Sequence, residues 1–291
     1  MLSRTALFSA ALALAVTASL LSGCSGGGSG GGNGVVAAFY PIAYAAQQIT
    51  GGSLDVRNLT SAGAEPHDLE LMPGDIRAVH DARVVLYFGD GFMPGLETAV
   101  RDRKGRSVDL LTQLQRQEGN GGGPPGDPHV WLDPVRYAAL VRLIGSALGD
   151  EAGTIPLTRK LTRLDAEYRK GLAHCARRQI VTSHAAFEYL ARRYGLVQVP
   201  LEGLTPEAEP SAKDIARLVD TVRSSGTTTV FFETLISPKL AQTVAREAGV
   251  TTAVLDPLEG LSDSRIAAGA DYFTVMRENL ASLQKALGCT T

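Results

Sequence analysis

Short apolar, β-branched runs alternate with helix-patterned segments twice along this 291-residue chain, and that alternation leaves few folds open. Strands are expected within residues Val35–Tyr40, Leu54–Leu59, Arg83–Phe88 and Ser107–Leu111. A second set is expected within Gln179–Ser183, Val197–Leu201, Thr229–Phe232 and Thr252–Leu255. Most are apolar throughout rather than alternating, as strands covered on both faces of a parallel sheet must be. Helical patterns near Ile42–Thr50, Pro73–His80, Pro94–Arg101, Ala185–Tyr194, Ala212–Ser224 and Pro238–Glu247 separate them. The expected fold is α/β: two lobes, each with a mainly parallel four-stranded sheet flanked by helices.

Between the halves the pattern is helical. Asp133 and Pro134 suit the N-cap and first turn of a helix reaching about Leu148. After a break at Gly149–Thr154, Leu157, Leu161, Leu164, Tyr168 and Leu172 recur at helical spacing. The expected organisation is a first lobe over 35–155, a long rigid helix over 156–174 and a second lobe over 175–291. A helical link is stiffer than a Gly-Ser coil, so little relative motion of the lobes is expected.

The N-terminal residues stand apart. Arg4 precedes an apolar run of 16 residues, Ala6–Leu21, short of the roughly 20 that span a bilayer, so residues 1–23 suit a signal peptide. Leu21-Ser22-Gly23-Cys24 resembles the lipobox of bacterial lipoproteins, which implies lipidation at Cys24 and a place on the extracytoplasmic face of the membrane. The Gly-Ser-rich stretch over 24–34 suits a flexible tether. Its chance match to G-x-S-x-G lacks the strand and helix that a hydrolase elbow needs. In an exported protein the two remaining cysteines, Cys175 and Cys289, are expected to pair. The net charge of −2, with no basic run, points away from nucleic acid.

Three of the five histidines follow expected strands: Glu65-Pro66-His67-Asp68, Asp127-Pro128-His129 and Thr182-Ser183-His184. In open α/β sheets ligands bind beyond the carboxyl ends of strands. Imidazoles converging there suit a divalent transition metal. Asp256, after the eighth strand, is the expected fourth ligand; Glu65, Glu233 and water are rivals. Asp68 and Asp133 are candidate acceptors for the imidazole N–H groups that face away from a metal, though Asp133 also suits a helix cap. His80 and His174 lie away from the strand rims. The Gly-rich loop over 118–126 suits a tolerated insertion or a flap. With no H-E-x-x-H and no evident general base, a zinc hydrolase is the weaker alternative, and no enzyme activity is expected.

These same segments, with Val130-Trp131-Leu132-Asp133-Pro134, Ala185-Ala186-Phe187-Glu188-Tyr189, Pro206-Glu207-Ala208-Glu209-Pro210-Ser211 and Leu255-Asp256-Pro257-Leu258, resemble the metal-binding lipoproteins of zinc and manganese ABC importers, the zinc-uptake (ZnuA-like) type above all. The resemblance implies two α/β lobes joined by one helix and a single buried Zn²⁺, transported rather than resident. By position its ligands would be His67, His129 and His184, with Asp256 or solvent completing the set. It also implies a monomer anchored through lipid, with permease and ATPase as separate chains; no P-loop occurs here. Manganese-type members typically carry Glu at the third position, where this chain has His184, so Zn²⁺ is expected ahead of Mn²⁺. Members with a His-rich loop before the second motif differ from this chain, whose loop has no histidine. Some relatives are discussed as adhesins, a third alternative.

Overall fold

The computed structural model describes residues 34–118, 123–204 and 211–290. The signal segment, Cys24, nearly all of the tether, the centre of the Gly-rich loop and most of Pro206–Ser211 lie outside the described residues. Along the chain run β1 (Val35–Ala37), α1 (Tyr40–Thr50), β2 (Val56–Asn58), α2 (Pro73–Asp81), β3 (Val84–Tyr87), α3 (Pro94–Arg101), β4 (Arg106–Asp109) and α4 (Leu110–Glu118). A 3-10 turn (Val130–Leu132), α5 (Pro134–Leu148) and the linking helix α6 (Thr154–Gly171) follow. The second half holds β5 (Gln179–Thr182), α7 (Glu188–Tyr194), β6 (Val197–Pro200), α8 (Ala212–Ser225), β7 (Thr229–Phe232), α9 (Lys239–Ala248), β8 (Thr251–Val254), α10 (Asp263–Ala267) and α11 (Tyr272–Leu287).

Two four-stranded sheets result, ordered β2-β1-β3-β4 and β6-β5-β7-β8, and every strand pairing is parallel. The second order repeats the first. In each, the chain reverses direction of winding at the central strand pair, which opens a crevice at the carboxyl ends of the strands. No helix among the described residues is long and apolar enough to cross a membrane.

Several boundaries differ from expectation for identifiable reasons. The strand expected to reach Leu111 stops at Asp109, because that carboxylate accepts from the amide of Thr112 and opens α4. The helix expected from Ala185 starts only at Glu188, since the carbonyl of His184 is bound by Thr182 Oγ1 and Gln198 Nε2. An additional long helix, α11, is capped by Asp271, whose carboxylate accepts from Thr274 N, and ends at Gly288 in the left-handed region. Its buried Tyr272, Val275, Met276, Leu283 and Leu287 face α6 and the second sheet.

One apolar core runs through both lobes, from Val35 through α5 and α6 to Leu287. Strand alternation explains its limit: Ile180 and Phe231 face this core, whereas Val181 and Val230 face a separate cluster under α8 and α9. Aromatic side chains stitch the lobes together. Trp131, in the 3-10 turn, donates its indole N–H to Pro257 O at 2.7 Å, and Tyr272 donates its hydroxyl to Trp131 O at 2.7 Å. Tyr168, on the linking helix, donates to Met276 O at 2.6 Å. Each such buried bond contributes about 1 kcal/mol, and unmaking it would strand a buried polar group. Arg193 of α7 adds an ionic tie, reaching Asp133 at 3.2 Å and Asp165 of α6 at 2.8 Å. The Cys175–Cys289 disulfide fastens the segment before β5 to the end of α11. A shared core of this kind resists hinge opening more than a helical link alone would.

Candidate metal centre

Four side chains from four loops meet between the lobes: His67, His129, His184 and Glu259. His67 sits in the β2–α2 loop, where its own amide donates to Glu65 Oε1 at 3.3 Å. His129 is organised by its own motif. Asp127, two residues earlier, accepts from the His129 amide at 2.9 Å and faces its Nδ1 at 2.8 Å with the same oxygen. His184 follows β5, and the parallel register explains its partner. Val181 pairs with Val230 and Thr182 with Phe231, so continuing the ladder sets His184 beside Glu233. Glu233 Oε1 lies 2.7 Å from His184 Nδ1 and accepts from Ser183 Oγ at 2.6 Å.

These partners fix the ring tautomers. A carboxylate only accepts, so Nδ1 of His129 and of His184 carries a proton, and each Nε2 faces inward, where its lone pair serves a cation once any proton there is displaced. All three inward nitrogens address one oxygen, Glu259 Oε1, at 2.8 Å from His129, 3.2 Å from His67 and 3.6 Å from His184. Four donors held about 2.0–2.1 Å from a tetrahedral zinc stand about 3.3 Å apart. The three measured separations bracket that value. Lone pairs aimed at one another repel unless a cation or protons lie among them. His184 Nε2 and Glu259 Oε2 are, moreover, buried without a hydrogen-bond partner.

The electrostatics agree. Burial pulls the His184 imidazole down, but hydrogen bonds to Glu233 and Glu259 outweigh it and push the ring up to about 10. His129 is raised in the same way, burial being outweighed by Asp127 and Glu259. Burial alone would raise Glu259, yet the three imidazoles hold its carboxyl well below the usual range. Glu65, by contrast, is pushed up to about 9 by burial and by the Glu259 charge. At neutral pH Glu65 is therefore a neutral acid, a poor ligand beside an ionised Glu259.

The expected residues are thus divided. His67, His129 and His184 come together; Asp256 does not join them, and Glu259 occupies the fourth corner. Asp256 instead accepts from Leu258 N at 2.8 Å and from Thr234 Oγ1 at 2.9 Å. Glu233 backs His184, and Asp127 and Glu233 fill the supporting places considered for Asp68 and Asp133. Asp68 is exposed, and Asp133 caps α5 by accepting from Val135 N. Glu259 is fully buried between Leu258 and Gly260, and no local signal in the sequence sets it apart from Asp256 three residues earlier. Phe92 and Trp131 pack on the His67 and His129 rings, with centroids at 4.7 and 5.2 Å. A cavity of about 220 Å³ reaches the site at His67.

Residues 35–286 match the family described as zinc-uptake complex component A, periplasmic. The chain is 37% identical over 287 residues to a zinc-binding protein AdcA of Streptococcus pyogenes, covering 86% of this chain and 55% of that protein. It therefore spans about half the length of such streptococcal relatives. It is 33% identical to the high-affinity zinc uptake system protein ZnuA of Bacillus subtilis, with 87% of each covered. Among solved structures, the Zn(II)-bound ZnuA-like domain of Streptococcus pneumoniae AdcA superposes with a TM-score of 0.75 at 34% identity, covering 87% of this chain and 98% of that domain. The laminin-binding protein Lmb of Streptococcus agalactiae, described as an adhesin with metal-transporting activity, superposes at 0.78 with 27% identity, covering 88% of this chain and 100% of that one.

Proposed function

This chain belongs to the family of zinc-uptake complex component A proteins, and from that premise we propose that it captures Zn²⁺ between its lobes and delivers it to an importer. The ligands are the Nε2 atoms of His67, His129 and His184 and one oxygen of Glu259. The observation that carries this reading is the convergence of three inward-facing imidazole nitrogens on Glu259 Oε1, with two of the rings locked from behind by Asp127 and Glu233. Three imidazoles and one carboxylate suit Zn²⁺ better than the harder Mn²⁺.

The protein acts as a binding protein and not as an enzyme. Four protein ligands close the zinc shell, whereas zinc catalysis needs an open position for water. It works as a monomer, anchored through lipid on Cys24 at the extracytoplasmic face, and hands its cargo to a permease powered by an ATPase on separate chains. The shared core between the lobes favours capture by small movements of the ligand loops over wide hinge closure. Metal analysis of protein purified without added metal, followed by Zn²⁺ titration, tests the reading. One zinc per chain is expected, with tight binding abolished in His129→Ala and His184→Ala. Unchanged stoichiometry and affinity in both variants would overturn it.

A further inference from the structure

Asp256 and the turn it begins are built more tightly than a connection after a strand requires. Every peptide from Asp256 to Leu258 is held. Asn279 of α11, itself buried, accepts from the Asp256 amide at 2.9 Å and donates to the Asp256 carbonyl at 2.7 Å. Trp131 holds the Pro257 carbonyl from the other lobe at 2.7 Å. The Asp256 carboxylate binds Leu258 N with one oxygen and Thr234 with the other. Leu258 consequently sits at a φ of 57°, in the left-handed region that a branched residue rarely adopts. Glu259 is the next residue. The left-handed step turns its side chain from the course of β8 into the cluster of imidazoles.

A second consequence concerns how Glu259 presents itself. Its Oε1 faces all three imidazoles, while Oε2 is buried without a partner. A carboxylate on a fixed backbone, meeting the cation through one oxygen, completes a four-coordinate shell. One free to shift could turn both oxygens inward and raise the coordination number. Zn²⁺ suits the first arrangement, and Mn²⁺, which favours six oxygen-rich ligands, suits the second.

We propose that Asp256 is a positioning residue for metal selectivity: its carboxylate locks the 256–258 turn so that Glu259 offers a single oxygen, favouring Zn²⁺ over Mn²⁺. The inference rests on the metal-binding reading given above. Trp131 lies two residues after His129, so the turn that delivers His129 also braces the turn that delivers Glu259. Ligands from opposite lobes are thereby held in a common register.

The test compares Zn²⁺ and Mn²⁺ affinities, and the visible absorption of bound Co²⁺, in the wild type, Asp256→Ala and Asp256→Asn. Supporting contacts of this kind change metal affinity by about 10- to 100-fold. Asp256→Ala should lower the Zn²⁺/Mn²⁺ affinity ratio by that order and weaken the intense bands of four-coordinate Co²⁺. Asp256→Asn keeps an oxygen for Leu258 N and should restore most of both. A folded Asp256→Ala protein with wild-type ratio and spectrum overturns the inference while leaving zinc capture intact. A wild type that takes up no zinc overturns the functional reading and this inference with it. If Asp256→Ala fails to fold, Thr234→Val removes only the second anchor from an exposed position. It should shift the ratio in the same direction, and no shift overturns the inference.

Discussion

Removing the Glu233 carboxylate should weaken zinc binding without unfolding the protein, and the structure sets the scale. Glu233 Oε1 serves two donors, His184 Nδ1 at 2.7 Å and Ser183 Oγ at 2.6 Å, and the side chain is buried. In Glu233→Ala both donors lose their acceptor, and nothing holds the proton on Nδ1. The ring can then rotate or carry its proton on Nε2, where the metal should bind. Loss of such a contact costs about 10- to 100-fold in affinity, or roughly 1.4–2.7 kcal/mol. Glu233→Gln keeps an oxygen facing both donors and loses only the charge, so its loss should stay within about tenfold. Competition titration against a chromogenic chelator reads both variants, with thermal melting to confirm that each is folded. A folded Glu233→Ala protein with wild-type affinity would refute the claim that Glu233 orients His184.

Three further outcomes concern the site, the linking helix and the disulfide in turn. Because His184 is pushed up to about 10 and His129 is raised, zinc loading at neutral pH must displace protons. Calorimetry in buffers of different ionisation enthalpy should show proton release, and affinity should fall as pH falls; release of none would contradict the raised values of His184 and His129. Asp165 is held below the ordinary range because Arg193, Tyr194 and Arg169 outweigh burial. Its depressed folded-state value means the stability it contributes is full above the unfolded value of about 3.9 and is lost as pH falls through the folded one. Asp165→Asn should therefore lower the melting temperature at pH 7, and by progressively less as pH falls below about 3.9. Reducing Cys175–Cys289 reopens a loop of 114 residues in sequence. In the chain-entropy model this costs up to about 5 kcal/mol, visible as a lower melting temperature under reductant; an unchanged one would show the unfolded chain to be already compact.

The central strands were legible because parallel strands buried on both faces must be apolar throughout. The run Thr229–Phe232 matches its strand end to end. That the three histidines would converge was legible from their places just past strands, with further local support at two of them. Pro precedes His67 and His129 and fixes the backbone, and Asp127 lies close enough in sequence to engage its own histidine. The fourth corner was not legible, because Asp256 has every local mark of a ligand: it is acidic, buried and just past a strand. Only the left-handed conformation of Leu258, set by contacts with Thr234 and Asn279 that are distant in sequence, passes that role to Glu259. Glu233 posed the same difficulty in reverse. Its function depends on strand register between β5 and β7, which apolar runs of similar composition leave undetermined.

Anomalous diffraction at the zinc absorption edge from crystals of the zinc-loaded protein tests the central claim most directly. The account predicts one peak, about 2.0–2.1 Å from Nε2 of His67, His129 and His184 and about 2.0–2.2 Å from one oxygen of Glu259. A peak coordinated by Asp256, or one that leaves out any of the three histidines, would contradict it.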